Sequence, residues 1–310
     1  MKQEIYSRLT YRRKSNVDAS LEKYMQEKRQ VIEQDIETHV CNETIPENLQ
    51  QSMLYSLTAG GKRLRPILIY ASYETYAKTS NRVRKVALAL EMIHTYSLIH
   101  DDLPALDNDD YRRGKKTNHK VFAESTAVLA GDALLTQSFH LISTDTELTD
   151  EEKVKLITWL AEASGPTGMV AGQMMDIEAE NQDISLYTME KIHALKTGKL
   201  IGFAVQAGAY LAGATEEQLK HLATFSHFLG ILFQIQDDIL DITGNEEKIG
   251  KPIGSDVENN KSTYPGLLGL DKAIEYRNYY LEEAIKALKQ AQADHYYLQD
   301  LTEYFTERDY

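Results

Sequence analysis

RVRKVALALEMIHTYSLIHDDLPALDNDDYRRG, residues 82–114, begins as a long apolar helix and ends as a loop crowded with charge. Val83, Val86, Leu90, Ile93 and Leu98 recur at helical spacing, so the first two thirds must lie against other elements. Pro104 and Gly114 then break the pattern. Five aspartates fall between residues 101 and 110, and Arg112 and Arg113 follow at once. Apolar helices of this kind recur along the chain. The spacing predicts a polar-faced helix over 15–45, with Val17, Leu21, Tyr24, Met25, Lys28, Val31, Ile32 and Ile36 on its seam. Further helices are expected over 122–142, 150–164, 167–180, 188–212, 216–241 and 271–290. Alternating strand patterns of useful length and Pro/Ser-rich linkers are both missing. The expectation is one all-α domain, a single large helical bundle over 1–310, with 1–16 as a flexible basic arm.

Composition agrees with this. Six prolines in 310 residues, an apolar fraction of 42% and long runs of Ala, Leu, Glu, Lys and Gln favour helix and a sizeable core. Cys41 is the lone cysteine, which rules out an internal disulfide and suits a reducing, cytoplasmic setting. The N-terminal residues carry no signal-peptide pattern. The longest near-apolar run, IGFAVQAGAYLAGA (201–214), is fourteen residues, too short to span a bilayer. A net charge of −13 argues against a nucleic-acid partner. An acidic chain still takes an anionic substrate where metal ions and a local basic cluster reverse the field.

Such a reversal is suggested by an echo in the sequence. LIHDDLPALD near residue 100 is answered by FQIQDDILD at 233–241, and each is followed by a basic, glycine-containing loop (112–120 and 248–261). Residues four apart on a helix differ by only about 40° around the axis. Asp237 and Asp241 therefore share a face, with Asp238 beside them and Gln234 a turn earlier. Leu222, Phe225, Leu229, Leu232 and Ile239 form the opposite, core-facing stripe. In the first motif Asp101 and Asp107 are six apart, which an unbroken helix would separate by about 120°. Pro104 cannot donate to the carbonyl of His100, so the chain is expected to loop out and return Asp107 to the side of Asp101. His94 and Ser97 lie on that same face. Either cluster alone suits a solvated surface. Two of them on apolar helices, each followed by Lys and Arg, suit Mg²⁺ and a diphosphate. A calcium loop from Asp107 fails because Arg112 stands where glycine is needed, and GNEEKIGKP fails the phosphate-loop spacing.

These residues carry a resemblance. GGKRLRP, HDDLPALDNDDYRRG, GQMMD, KTGKL, FQIQDDILD and GKPIGSD…NKSTYPGLLGL, in this order over about residues 45–305, closely resemble the trans-isoprenyl diphosphate synthases, most nearly the bacterial farnesyl diphosphate synthases. The resemblance implies the isoprenoid synthase fold, a helical bundle around a deep central cavity, usually a homodimer. It implies Mg-dependent transfer of an allylic chain (dimethylallyl or geranyl diphosphate) onto isopentenyl diphosphate, by ionisation, condensation and deprotonation, to farnesyl diphosphate. Three Mg²⁺ ions are expected: two on Asp101 and Asp107 with Asp102 supporting, one on Asp237 with Asp238 and Asp241 nearby. Arg112, Lys196, Lys251 and Lys261 are expected on substrate, chiefly the allylic diphosphate. Lys62, Arg65, His94 and Arg113 are expected on the diphosphate of isopentenyl diphosphate. Lys196, Thr197 and Gln234 form the expected catalytic group beside the allylic carbon. There, oriented dipoles steady a cation that a carboxylate would capture, while Mg²⁺, Arg and Lys meet the charge of the leaving group. No side chain stands out as the base, which leaves the departed diphosphate to take the proton.

In this family a bulky residue near the first motif acts as a floor against the growing chain. Tyr96, with Ser97 beside it, fills that place here, and a fifteen-carbon product is expected. A smaller floor would favour the twenty-carbon geranylgeranyl diphosphate. The chain departs from the family in two places: a longer, more basic first forty residues, and a C-terminus, FTERDY, whose one basic residue is Arg308. A class I terpene cyclase would replace DDILD and would not need the second basic group. A helical metal-binding scaffold would not need Lys196, Thr197 and Gln234.

Overall fold

The computed structural model describes residues 2–41, 43–78, 81–244, 262–293 and 297–307, with side chains from residue 19 onward. The first helix, α1 (Lys2–Val40), starts earlier than expected, since the backbone of the predicted arm continues it. It stops short of Pro46, which opens α2 (Glu47–Leu57). Leu21, Tyr24, Met25, Ile32 and Ile36 are buried, and Val31 is half-buried.

The loop 58–63 leads into α3 (Leu64–Tyr76), and a single 3₁₀ turn (Asn81–Val83) opens α4 (Arg84–Asp101). Val86 to Ile93 are buried without exception, so α4 runs through the middle of the molecule. It packs against α3 and against α6 (Glu124–Ser143). Between α4 and α6 lie a small hairpin, β1 (Tyr111–Arg112) with β2 (Lys115–Lys116), and the short α5 (Asn118–Phe122). No alternation announces the hairpin, because two residues per strand are too few to show a period.

The second half continues with α7 (Asp150–Ser164), α8 (Met169–Ala179), α9 (Leu186–His193), a π-helical turn (Ala194–Gly198), α10 (Lys199–Leu211) and α11 (Glu216–Thr243). Helices α7 and α11 start where expected, because each has a complete capping box: Thr149 with Glu152, and Thr215 with Gln218. On α11 Leu222, Phe225, Leu229, Leu232 and Ile239 are all buried. Then come α12 (Tyr264–Leu268), α13 (Leu270–Gln290) and α14 (Tyr297–Glu307). The architecture is all-α, and among the described residues no helix is long and apolar enough to cross a membrane.

Gly208 and Gly172 each sit at a close helix crossing. A Cβ on Gly208 of α10 would stand 2.3 Å from the carbonyl oxygen of Ile69 on α3. A Cβ on Gly172 of α8 would stand 2.2 Å from the backbone nitrogen of Lys196 in the π turn. Backbone thus reaches backbone where any side chain would hold the helices apart.

Candidate functional site

Helix α4 ends at Asp101, and the chain closes a loop over Asp102–Asp107. Leu103 donates its N–H to the carbonyl of His100 at 3.1 Å, and Asp107 donates to the carbonyl of Asp101 at 2.9 Å. The second bond returns Asp107 to the neighbourhood of Asp101, as the proline break requires. Asp102 is buried and engaged by Arg112, whose Nε donates to its Oδ1 at 2.7 Å. Asp109 lies 3.5 Å from the same guanidinium, and the exposed Asp110 pairs with Lys120 at 2.7 Å. The charge-rich loop is therefore internally bridged, not simply hydrated.

Burial lifts the Asp101 carboxyl to about 6, against the field of Lys196, with Asp107 and Asp102 adding to the rise. Among the described residues no three His, Cys, Asp or Glu side chains group tightly enough to hold a metal ion by themselves. Mg²⁺ does not ask for such a cage, since it takes one or two carboxylates and completes its shell with waters and phosphate oxygens. A half-buried carboxylate pushed toward protonation by desolvation, with neighbouring carboxylates adding to it, is a fitting partner for such an ion.

The basic cluster is assembled from two loops. Arg113, in a left-handed conformation at φ 54°, donates from its guanidinium to the carbonyl of Gly60. That bond ties the RRG turn to the GGK turn. Arg65 reaches from α3 to within 3.4 Å of Nε2 of His94 on α4. Burial first, then the fields of Arg65, Arg113, Arg112 and Arg63, holds the His94 imidazole well below its usual range. His94 is therefore neutral near pH 7, a hydrogen-bonding group among cations. Nζ of Lys62 lies 5.9 Å from the ring centroid of Tyr304 on α14, at the outer limit of a cation–π contact.

The third component is the π turn. It is also a close helix crossing. Gly198 lies against Gly230 of α11, where a Cβ on Gly230 would come within 2.7 Å of the Gly198 Cα. Lys196 pairs with Asp176 of the GQMMD segment at 2.6 Å. Thr197 donates its hydroxyl to Oε1 of Gln234 at 3.3 Å, and Gln234 donates its amide to Oδ1 of Asp238 at 3.1 Å. Asp237 is half-buried, and Asp238 and Asp241 are buried.

Tyr96 is buried, with its ring edge-on to His100 at 5.8 Å, and Ser97 donates to the carbonyl of His94 at 2.9 Å. Lys251, Lys261 and Arg308 lie outside the described residues. Two contributors escaped the sequence reading. Asp176 sits in a segment that was singled out, but no spacing pointed to Lys196 twenty residues on. Arg63, in the GGKRLRP stretch, carries no spacing signal of its own. It is buried, with Nη1 2.5 Å from Glu91 and a second bond to the carbonyl of Leu57. It anchors the GGKR turn to α4.

The family described as "Polyprenyl synthetase" matches residues 46–302. The farnesyl diphosphate synthase of Bacillus subtilis (strain 168) is 52% identical over 266 residues, which is 85% of this chain and 90% of the relative. The geranylgeranyl diphosphate synthase of Cyanophora paradoxa is 44% identical over 267 residues, 84% of this chain and 87% of the relative. Among solved structures, a geranyltransferase from Helicobacter pylori complexed with magnesium and isoprenyl diphosphate superposes with a TM-score of 0.79. It is 35% identical over 91% of this chain and 94% of that one.

Proposed function

Because the chain belongs to the polyprenyl synthetase family and is a prenyltransferase, we propose that it condenses isopentenyl diphosphate with dimethylallyl and then geranyl diphosphate to give farnesyl diphosphate. The observation that carries the reading is the pairing of two basic groups with one carboxylate loop. Arg65, His94 and Arg113 gather as one group, and Lys196 acts on Asp101 as the other. Two diphosphates need two such groups, whereas a cyclase acting on one diphosphate needs only the second.

Arg112 and Lys196, with Lys251 and Lys261, take the allylic diphosphate in this reading. Arg112 must exchange Asp102 for phosphate oxygens, and Lys196 must exchange Asp176. Both carboxylates thus hold a cation in place until the anion arrives. Lys62, Arg65, His94 and Arg113 take the second diphosphate, with the neutral imidazole binding through a hydrogen bond without adding repulsion to its arginine neighbours. Asp101, Asp102 and Asp107 on one side and Asp237 on the other are the carboxylates assigned to Mg²⁺, with Asp238 and Asp241 beside Asp237. Three ions would supply charge neutralisation to the departing diphosphate. Thr197 and Gln234 face the developing allylic cation with dipoles rather than full charges, so they stabilise it without the anionic attraction a carboxylate would exert. The proton lost in the last step goes to the released diphosphate.

Tyr96 favours fifteen carbons over the twenty of geranylgeranyl diphosphate. We place the enzyme in the cytoplasm, in keeping with its single cysteine. We also propose a homodimer. Val121 on α5 and Val128 and Leu129 on α6 are exposed apolar side chains on adjoining helices, as a self-association surface requires. Sedimentation of Leu129→Glu, expected as a monomer, tests it. The function itself is tested by incubation with Mg²⁺, isopentenyl diphosphate and C5, C10 or C15 allylic diphosphates, followed by measurement of product length. Absence of any condensation product overturns the proposal.

A further inference from the structure

The carboxylate of Asp238 is built differently from its neighbours in DDILD. It is 2% exposed, and each of its oxygens already accepts a hydrogen bond. Oδ1 accepts from the Gln234 amide at 3.1 Å, and Oδ2 accepts from the backbone N–H of Tyr264 at 3.0 Å. Tyr264 is itself fully buried, and its hydroxyl donates to Glu190 at 3.0 Å; Tyr280 donates to the same carboxylate oxygen at 2.9 Å. The donor that Asp238 meets is therefore held at both ends of its residue.

We propose that Asp238 is a positioning residue that sets the polarity of the Gln234–Thr197 hydrogen bond, and so turns the lone pairs of the Thr197 hydroxyl toward the reacting carbon. The steps follow from donor and acceptor inventory alone. A carboxylate accepts and cannot donate, so the Gln234 side chain must present its NH₂ to Asp238. The opposite amide orientation would set carbonyl oxygen against carboxylate oxygen. With NH₂ committed, Oε1 of Gln234 faces Thr197, 3.3 Å from its hydroxyl oxygen. An amide oxygen only accepts, so the Thr197 proton is spent on it. What remains on the Thr197 oxygen is electron density, the pole that a cation needs. Without Asp238 the amide is free to reverse and offer NH₂ to Thr197. The hydroxyl would then be free to aim its proton at the cation. Sequence spacing groups Asp238 with the metal carboxylates, whereas its contacts place it at the root of this relay.

The inference rests on Thr197 and Gln234 lying beside the allylic carbon. The test uses the full chain with geranyl and isopentenyl diphosphates, first confirming condensation by the parent. If the parent makes no product, the functional reading fails before the relay is tested. Asp238→Asn keeps shape and an acceptor for the Tyr264 amide, but it can also present NH₂ to Gln234. It is expected to lower kcat at least about tenfold, less than the about 10²–10³ that loss of a whole preorganised donor costs, because the hydroxyl is turned and not removed. The Mg²⁺ concentration for half-maximal rate should stay within about twofold of the parent. Thr197→Val lowers kcat too, and the double variant should fall no further than the worse single one, because both break one relay. Asp238→Ser, whose hydroxyl can accept from the same N–H, carries the same cycle should the asparagine variant not fold. A Mg²⁺ requirement raised about tenfold, with kcat restored at saturation, overturns the proposal in favour of a metal ligand. Multiplicative losses in the double variant overturn it as well.

Discussion

At the residue scale the most consequential charge is that of Asp101. Its carboxyl is lifted to about 6, mainly by burial, whereas an unfolded chain holds an aspartate near about 3.9. The folded state therefore keeps the proton more tightly. The stability this contributes is fully present below the unfolded value and lost as pH rises through the folded one. Above that point the metal-free protein carries an ionised carboxylate in a site that opposes it. Asp101→Asn should then stabilise the metal-free protein at pH 7.5 by about 1–2 kcal/mol, and by nothing measurable near pH 4. Thermal unfolding at the two pH values checks this; an asparagine variant no more stable at pH 7.5 would contradict it. Added Mg²⁺ should raise the melting temperature of the parent more than that of the variant, because only the parent has the charge to bind it. Tyr96 lies five residues before Asp101, buried, and its replacement tests shape rather than charge. Tyr96→Ala removes the ring and opens the space beneath it, so the product should lengthen from fifteen carbons to twenty or more. Chromatography of the hydrolysed products gives the length, and an unchanged product removes Tyr96 as the floor.

At the element scale the site depends on how closely helices approach. The backbone of Lys196 rests on Gly172 of α8, with no room for a methyl group. Gly172→Ala must push α8 and the π turn apart, at a cost of about 1–3 kcal/mol. It should also lower kcat, because Lys196 and Thr197 move with the turn, and Asp176 on α8 loses its reach to Lys196. Melting temperature and kcat measured together check it, and a loss of stability with full kcat would mean that the crossing is structural only. Helices on this scale were legible wherever periodicity was long or a cap was explicit. Residues 150–164 and 216–241 carry their own start signals in Thr149 and Thr215, and 82–102 carries its stop in Pro104. The π turn was not legible, because Lys196–Thr197–Gly198 keeps helical composition and only the crossing with Gly230 and Gly172 reveals the extra residue. Pairings across the fold were hidden for a related reason. Arg63 with Glu91 and Lys196 with Asp176 join elements distant in sequence, and no local spacing encodes such a partner. The looped return of Asp107 could be foreseen, since proline geometry is local.

At the scale of the whole molecule two fields oppose each other. The chain carries a net charge of −13, which repels a diphosphate from a distance, while Arg65, Arg112 and Arg113 attract it at close range. Which field an approaching substrate feels depends on the screening length, about 30 Å at 0.01 M salt and about 8 Å at 0.15 M. At the lower salt the substrate senses the entire acidic surface; at the higher salt it senses little beyond the mouth of the site. Raising ionic strength through this range should therefore increase kcat/KM for isopentenyl diphosphate. Only at molar salt, where screening falls to about 3 Å, should the local attraction weaken and kcat/KM decline. Initial rates against NaCl at fixed free Mg²⁺ would trace this rise and fall. A monotonic decrease from the lowest salt would mean that the basic cluster governs approach from the start. Neutralising exposed carboxylates remote from the site, such as Glu216 and Glu217 at the start of α11, should flatten the rising limb and leave the falling limb in place, since the falling limb belongs to the basic cluster of the site.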